Sequence, residues 1–181
     1  MATSFSSPTL LLLISLSFTT TCLFLPITNA SPVDDVCRQT KYPSLCLRAL
    51  GYHKTEDQNL PNLGQVGLET MLLDIIGCQN IFRTLANATD PSPVPKLRTL
   101  YGQCHKLYQH AYESLFLPAD DAAEKAQWGQ VIWKISLIPR DVDQCEKLFT
   151  GGSPAQKGSH EVKADAEAIL VIAKILFHKN V

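Results

Sequence analysis

The chain has 181 residues, 45% of them hydrophobic, which is enough for one domain with a core of its own. With 16 basic and 17 acidic side chains the net charge is −1, and no basic block occurs. That balance argues against a nucleic-acid surface and against a patch for anionic membrane.

No charged residue precedes Asp34. The opening segment holds the apolar run Leu10-Leu11-Leu12-Leu13-Ile14 and closes on Thr28-Asn29-Ala30. Residues 1–30 therefore read as a secretory signal peptide cleaved after Ala30, although no basic residue leads the apolar run. A membrane anchor would need about 20 unbroken apolar residues, and Ser15, Ser17 and Thr19-Thr20-Thr21 interrupt this one. Export changes how cysteines are read. Cys22 leaves with the signal, and Cys37, Cys46, Cys78, Cys104 and Cys145 remain. In an oxidising compartment they should pair where geometry allows, with one left over. No Cys-x-x-Cys occurs, so a zinc site is not expected. Asn87-Ala88-Thr89 is a glycosylation acceptor, consistent with export.

The mature chain, 31–181, opens with a turn of helix carrying Val33, Val36 and Cys37. Thr40-Lys41-Tyr42-Pro43 breaks it, and Pro43 suits the first position of a second short helix with Leu45, Cys46 and Leu47. Cys37 and Cys46 then stand on the two arms of a small hairpin, 31–50, that a disulfide could staple. After a polar loop the bundle region, 60–181, begins. Met71, Ile75, Cys78, Phe82 and Leu85 form a helical stripe, so Cys78 reads as a buried free thiol. Pro91-Ser92-Pro93-Val94-Pro95 ends that helix and starts the next. Leu97, Leu100, Cys104, Leu107, Ala111 and Ser114 recur at alternating spacings of three and four, and Val131, Ile135, Ile138, Val142, Cys145 and Phe149 repeat the pattern.

Between those two runs, Leu117-Pro118-Ala119-Asp120 reads as a turn that sets the helices antiparallel. Cys104 and Cys145 both point into the seam, and a disulfide joining them is the simplest reading. It would close a loop of about 40 residues, worth roughly 4 kcal/mol in the chain-entropy model. Pro139 lies inside the third long helix and predicts a kink or a restart at Arg140. A last helix, near Ser159 to Lys179, has the seam Val162, Ala166, Ile169, Ala173 and Leu176. Four long amphipathic segments with short loops predict an all-α, up-down-up-down four-helix bundle preceded by the hairpin.

Nothing in this pattern equips an enzyme. His53, His105, His110, His160 and His178 are scattered, and no HExxH, Glu-x-x-His or GxSxG occurs, so neither metal nor cofactor is implied. Asp120-Asp121 suits a helix start, and Trp128 and Trp133 read as core or rim aromatics. Binding is the trade that remains.

The cysteine segments carry a resemblance. Cys37-Arg38-Gln39-Thr40-Lys41-Tyr42-Pro43-Ser44-Leu45-Cys46-Leu47-Arg48-Ala49-Leu50 resembles the opening of the plant invertase and pectin methylesterase inhibitor family. Cys104-His105-Lys106-Leu107-Tyr108-Gln109-His110-Ala111 resembles its third-cysteine helix, and Asp143-Gln144-Cys145-Glu146-Lys147-Leu148-Phe149 its fourth-cysteine segment. The resemblance implies disulfides Cys37–Cys46 and Cys104–Cys145. It also implies a non-catalytic protein of the plant cell wall, apoplast or vacuole that binds a carbohydrate-active enzyme one to one, over its active-site cleft. Invertase inhibitors of the family resemble one another in a Pro-Lys-Phe triplet between the second and third bundle helices, and Leu117–Ala126 has none. The segments around Cys46 and Leu170 look more like the pectin methylesterase branch, whereas Ser136-Leu137-Ile138-Pro139 departs from the small residues usual there. The expected partner is thus pectin methylesterase; the alternatives are acid invertase (β-fructofuranosidase) and a secreted bundle that inhibits nothing. Contact is expected from polar positions off the seams: Gln103, Lys106, Gln109, Gln130 and Lys134. Neither nucleic acid nor, after signal cleavage, membrane is an expected partner.

Overall fold

The computed structural model describes residues 31–51, 59–88 and 95–179. Among them there is no strand. Residues 1–30, for which a signal peptide is expected, lie outside the described residues.

The short helix α1 (Pro32–Cys37) is capped by Ser31, whose Oγ accepts the Asp34 N–H at 3.1 Å. α2 (Pro43–Gly51) begins on its proline, and the Cys37–Cys46 disulfide joins the two arms with Cα atoms 5.4 Å apart. α3 (Leu60–Ala86) runs for 27 residues, about 40 Å. Asn59 caps it through the Asn62 N–H at 2.9 Å. α4 (Pro95–His110) passes without a break into a π-helical segment (Ala111–Phe116) and then α5 (Leu117–Glu124). α6 (Trp128–Glu146) and α7 (Gln156–Lys179) complete the chain.

Cross-helix contacts fix the topology. Between α4 with its π-helical continuation and α6 the pairs are Cys104–Cys145, His110–Asp141 and Ser114–Lys134, so the numbers climb on one helix as they fall on the other. A Cβ on Gly67 would lie 3.0 Å from Ile169, and one on Gly64 3.5 Å from Ile172, which sets α3 antiparallel to α7 at close approach. Ser159–Glu146 and Lys163–Asp143 do the same for α7 and α6. The four long helices therefore run up, down, up and down. The hairpin seats on α7: Arg48 pairs with Glu161 at 2.5 Å, and the Lys41 N–H donates to Glu167 at 2.8 Å.

The seams fill as their periodicity requires. Met71, Ile75, Phe82, Cys104, Val131, Ile135, Ile138, Cys145, Val162, Ala166, Ile169 and Ala173 are all buried. Phe149 stacks on Tyr101 and Phe82, with ring centroids 5.8 and 6.3 Å apart, and closes one end of the core.

The second long helix differs from expectation. Leu117-Pro118-Ala119-Asp120 is helical, and the chain reverses only at Lys125–Gln127. Pro118 does not break the helix because it sits in the first turn of α5, directly after the π segment. A π turn takes in more residues than an α turn, so the buried face rotates: Ser114 is exposed, and Leu115 and Phe116 enter the core instead. The Ser114 carbonyl lies four residues before Pro118, which has no N–H to give it, and accepts Lys134 Nζ at 3.2 Å. Of the acidic pair expected at a helix start, Asp120 stands in the first turn of α5, and Asp121 pairs at 2.6 Å with Lys125, the residue that caps the helix. α6 runs unbroken through Pro139, with no restart at Arg140.

Candidate partner-binding face

No helix of the described residues is long and apolar enough to cross a membrane. Among those residues no three His, Cys, Asp or Glu side chains group to hold a metal. The five expected contact positions distribute along α4 and α6. Gln103 and Lys106 are exposed at the level of the Cys104–Cys145 bridge. Gln109 is half-buried and donates to Glu113 at 3.0 Å. Gln130 is exposed near the start of α6. Lys134 is half-buried, tied to Ser114, with Nζ 4.6 Å from the Trp133 ring centroid. The five do not converge; they line successive turns of one antiparallel pair.

Side chains not expected in the contact set stand among them. His110 Nδ1 lies 2.7 Å from Asp141 Oδ2, bridging α4 and α6 midway along the face. Trp133 is 56% exposed and Leu117 42%, whereas Trp128 is buried. Trp133 follows from helical spacing, since it falls between seam positions Val131 and Ile135; Leu117 does not, because the π segment shifts the phase.

A polar network ties α4 to the end of α6 and the start of α7. The Tyr108 hydroxyl is 2.8 Å from Ser159 Oγ, and Glu146 Oε1 accepts from Ser153 and Ser159. Burial holds the Tyr108 hydroxyl well above its ordinary range. Cys78 is buried and unbridged; burial pushes its thiol up to about 11 despite the neighbouring Tyr108 hydroxyl. Such a thiol is inert at neutral pH. Asp120 on α5 is also raised, by burial and then by Glu124, Glu69 and Asp121. Asn87 ends α3, exposed, its N–H bonded to the Arg83 carbonyl at 3.1 Å; Thr89 of the acceptor triplet lies outside the described residues.

Fold and surface together define a disulfide-tied helical bundle that offers a long polar face with an exposed tryptophan. The chain belongs to the plant invertase/pectin methylesterase inhibitor family, whose model matches residues 31–173. It is 27% identical over 150 residues to a pectinesterase inhibitor of Actinidia deliciosa, covering 80% of this chain and 78% of that one. A crystal structure of mutant form A of a pectin methylesterase inhibitor from Arabidopsis superposes with a TM-score of 0.71 at 18% identity, covering 80% of this chain and 97% of the other. Another, of a pectin methylesterase inhibitor from Arabidopsis thaliana, gives 0.60 at 20% identity, covering 82% and 97%.

Proposed function

We propose that this protein is a secreted, non-catalytic inhibitor of pectin methylesterase that binds the enzyme one to one and covers its active-site cleft. The observation that carries the reading is the family match over residues 31–173, with a pectinesterase inhibitor among the chain's relatives. Neither α5 nor the reversal at Lys125–Gln127 carries Pro-Lys-Phe, which supports pectin methylesterase over acid invertase as the target. Residues 1–30 direct the chain into the secretory pathway, where Asn87 takes a glycan, and on to the apoplast. The contact face is the α4–α6 side, with Gln103, Lys106, Gln109, Gln130 and Lys134 as its polar positions and Trp133 as an anchor. An exposed aromatic beside a fixed cation is the kind of residue that dominates binding energy once desolvated.

The test assays the secreted protein against purified pectin methylesterase and acid invertase in parallel. Inhibition of the first alone is expected. Trp133→Ala should weaken inhibition at least about tenfold, and Lys134→Glu should slow association, an effect that salt screens. Inhibition of invertase alone would reassign the target, and unchanged affinity in both variants would move the contact off this face.

A further inference from the structure

α3 and α7 bring two carboxyl groups together inside their seam. Asp165, on α7 between Val162 and Ile169, is 3% exposed. Asp74 of α3, half-buried, stands on the same seam between the close approaches Gly67–Ile169 and Cys78–Gly158. These bracket it with Asp165 and put the two within hydrogen-bonding reach. Two carboxylates only accept, so that contact requires a proton on one of the four oxygens. Asp165 Oδ2 is buried and has no hydrogen-bond partner among the described residues. Of the charged groups facing the pair, Arg48 on α2 gives its guanidinium to Glu161 at 2.5 Å, and Lys157 on α7 stands 3.9 Å from that same Glu161 oxygen. Glu161, one turn before Asp165, adds a third negative charge. Cys78, one turn beyond Asp74 on α3, is a neutral thiol.

We infer that Asp74 and Asp165 share one proton across the α3–α7 seam, making the fold acid-favoured and its seam weaker as the medium turns neutral and then alkaline. Burial first, then Asp74 and Glu161, push the Asp165 carboxyl up to about 8; burial, then Glu161, raises Asp74 as well. In the unfolded chain both release their protons near 3.9, the ordinary value. Between about 4 and about 8 the folded chain thus holds a proton that the unfolded chain has lost, so stability falls as pH rises. The folding equilibrium constant drops about tenfold per pH unit for that proton. Below the window both states are protonated and the contribution is level. Above it the folded state has lost the proton too. The hairpin is linked to the same event, because a newly charged Asp165 competes with Glu161 for Arg48.

Urea unfolding of the disulfide-intact protein at pH 5, 6, 7 and 8 tests this against Asp165→Asn, which keeps the shape and offers Asp74 an amide donor. The ratio of parent to variant folding constants should fall toward tenfold per pH unit across the series. Parallel curves would overturn the inference. Asp74→Asn makes the same comparison should the first variant not fold. In the parent itself, the 13Cγ resonance of Asp165 should titrate above pH 7; a midpoint near 4 would also overturn it.

Discussion

Ala126 bears a backbone strain that its side chain does nothing to relieve. Its φ is 53°, the left-handed region, because α5 ends in a Schellman reversal: Gln127 N–H reaches the Ala122 carbonyl at 2.8 Å and Ala126 N–H the Ala123 carbonyl at 3.0 Å. A Cβ in that conformation costs about 1 kcal/mol, so Ala126→Gly should raise stability by about 0.5–1 kcal/mol, read as a higher urea midpoint at unchanged slope. Gly158 is the converse case. A Cβ there would stand 2.5 Å from Cys78 Sγ. Gly158→Ala should cost about 1–3 kcal/mol, and most of that loss should vanish in a Cys78→Ala background; additive losses would mean the two sites do not touch. Of the acid pair, Asp165 was open to a reading from spacing, since it stands three residues after Val162 and four before Ile169, next to the seam position Ala166. Its partner was not, because helical periodicity places a residue on a face without saying what meets it there.

Among the elements, the third and last bundle helices follow their sequence pattern closely, because strict three-four spacing leaves one face to bury. Val131 through Cys145 is buried at every seam position. The second departs where Pro118 and the π segment intervene. Proline read alone signals a turn; what keeps it helical is the wider turn before it and Lys134 reaching over from α6. Neither is local in sequence. Pro139 makes the opposite point, an interior proline within a continuous helix. Replacing it with alanine gives the Ile135 carbonyl back a donor. Pro139→Ala should therefore stabilise, by up to about 3 kcal/mol. Thermal melting checks it, and a lowered midpoint would show that packing around the ring outweighs the missing bond.

For the molecule as a whole, the register of α4 against α6 is set once, at Cys104–Cys145, where Cα atoms stand 4.9 Å apart across 41 residues of chain. Given that bridge, the sequence already holds most of the surface, including the level at which His110 faces α6. Exposure of Leu117 stays hidden, because it depends on the phase shift in the π segment. Cys104→Ala removes the loop closure and leaves Cys145 buried and unpaired, and should cost about 2–5 kcal/mol, seen as a lower melting temperature. A melt equal to the parent's would mean the bridge is not formed.

Cys78 brings a matter of timing to the same molecule. It lies in sequence between the two bridged pairs, and what shields its sulfur comes from later in the chain: Tyr108 on α4 and Gly158 at the start of α7. A ribosome delivers α7 last. Until that helix docks, Cys78 lacks the cover that later sets it apart from the four cysteines that pair. Faithful sorting of cysteines in this chain therefore rests on residues that contain no sulfur.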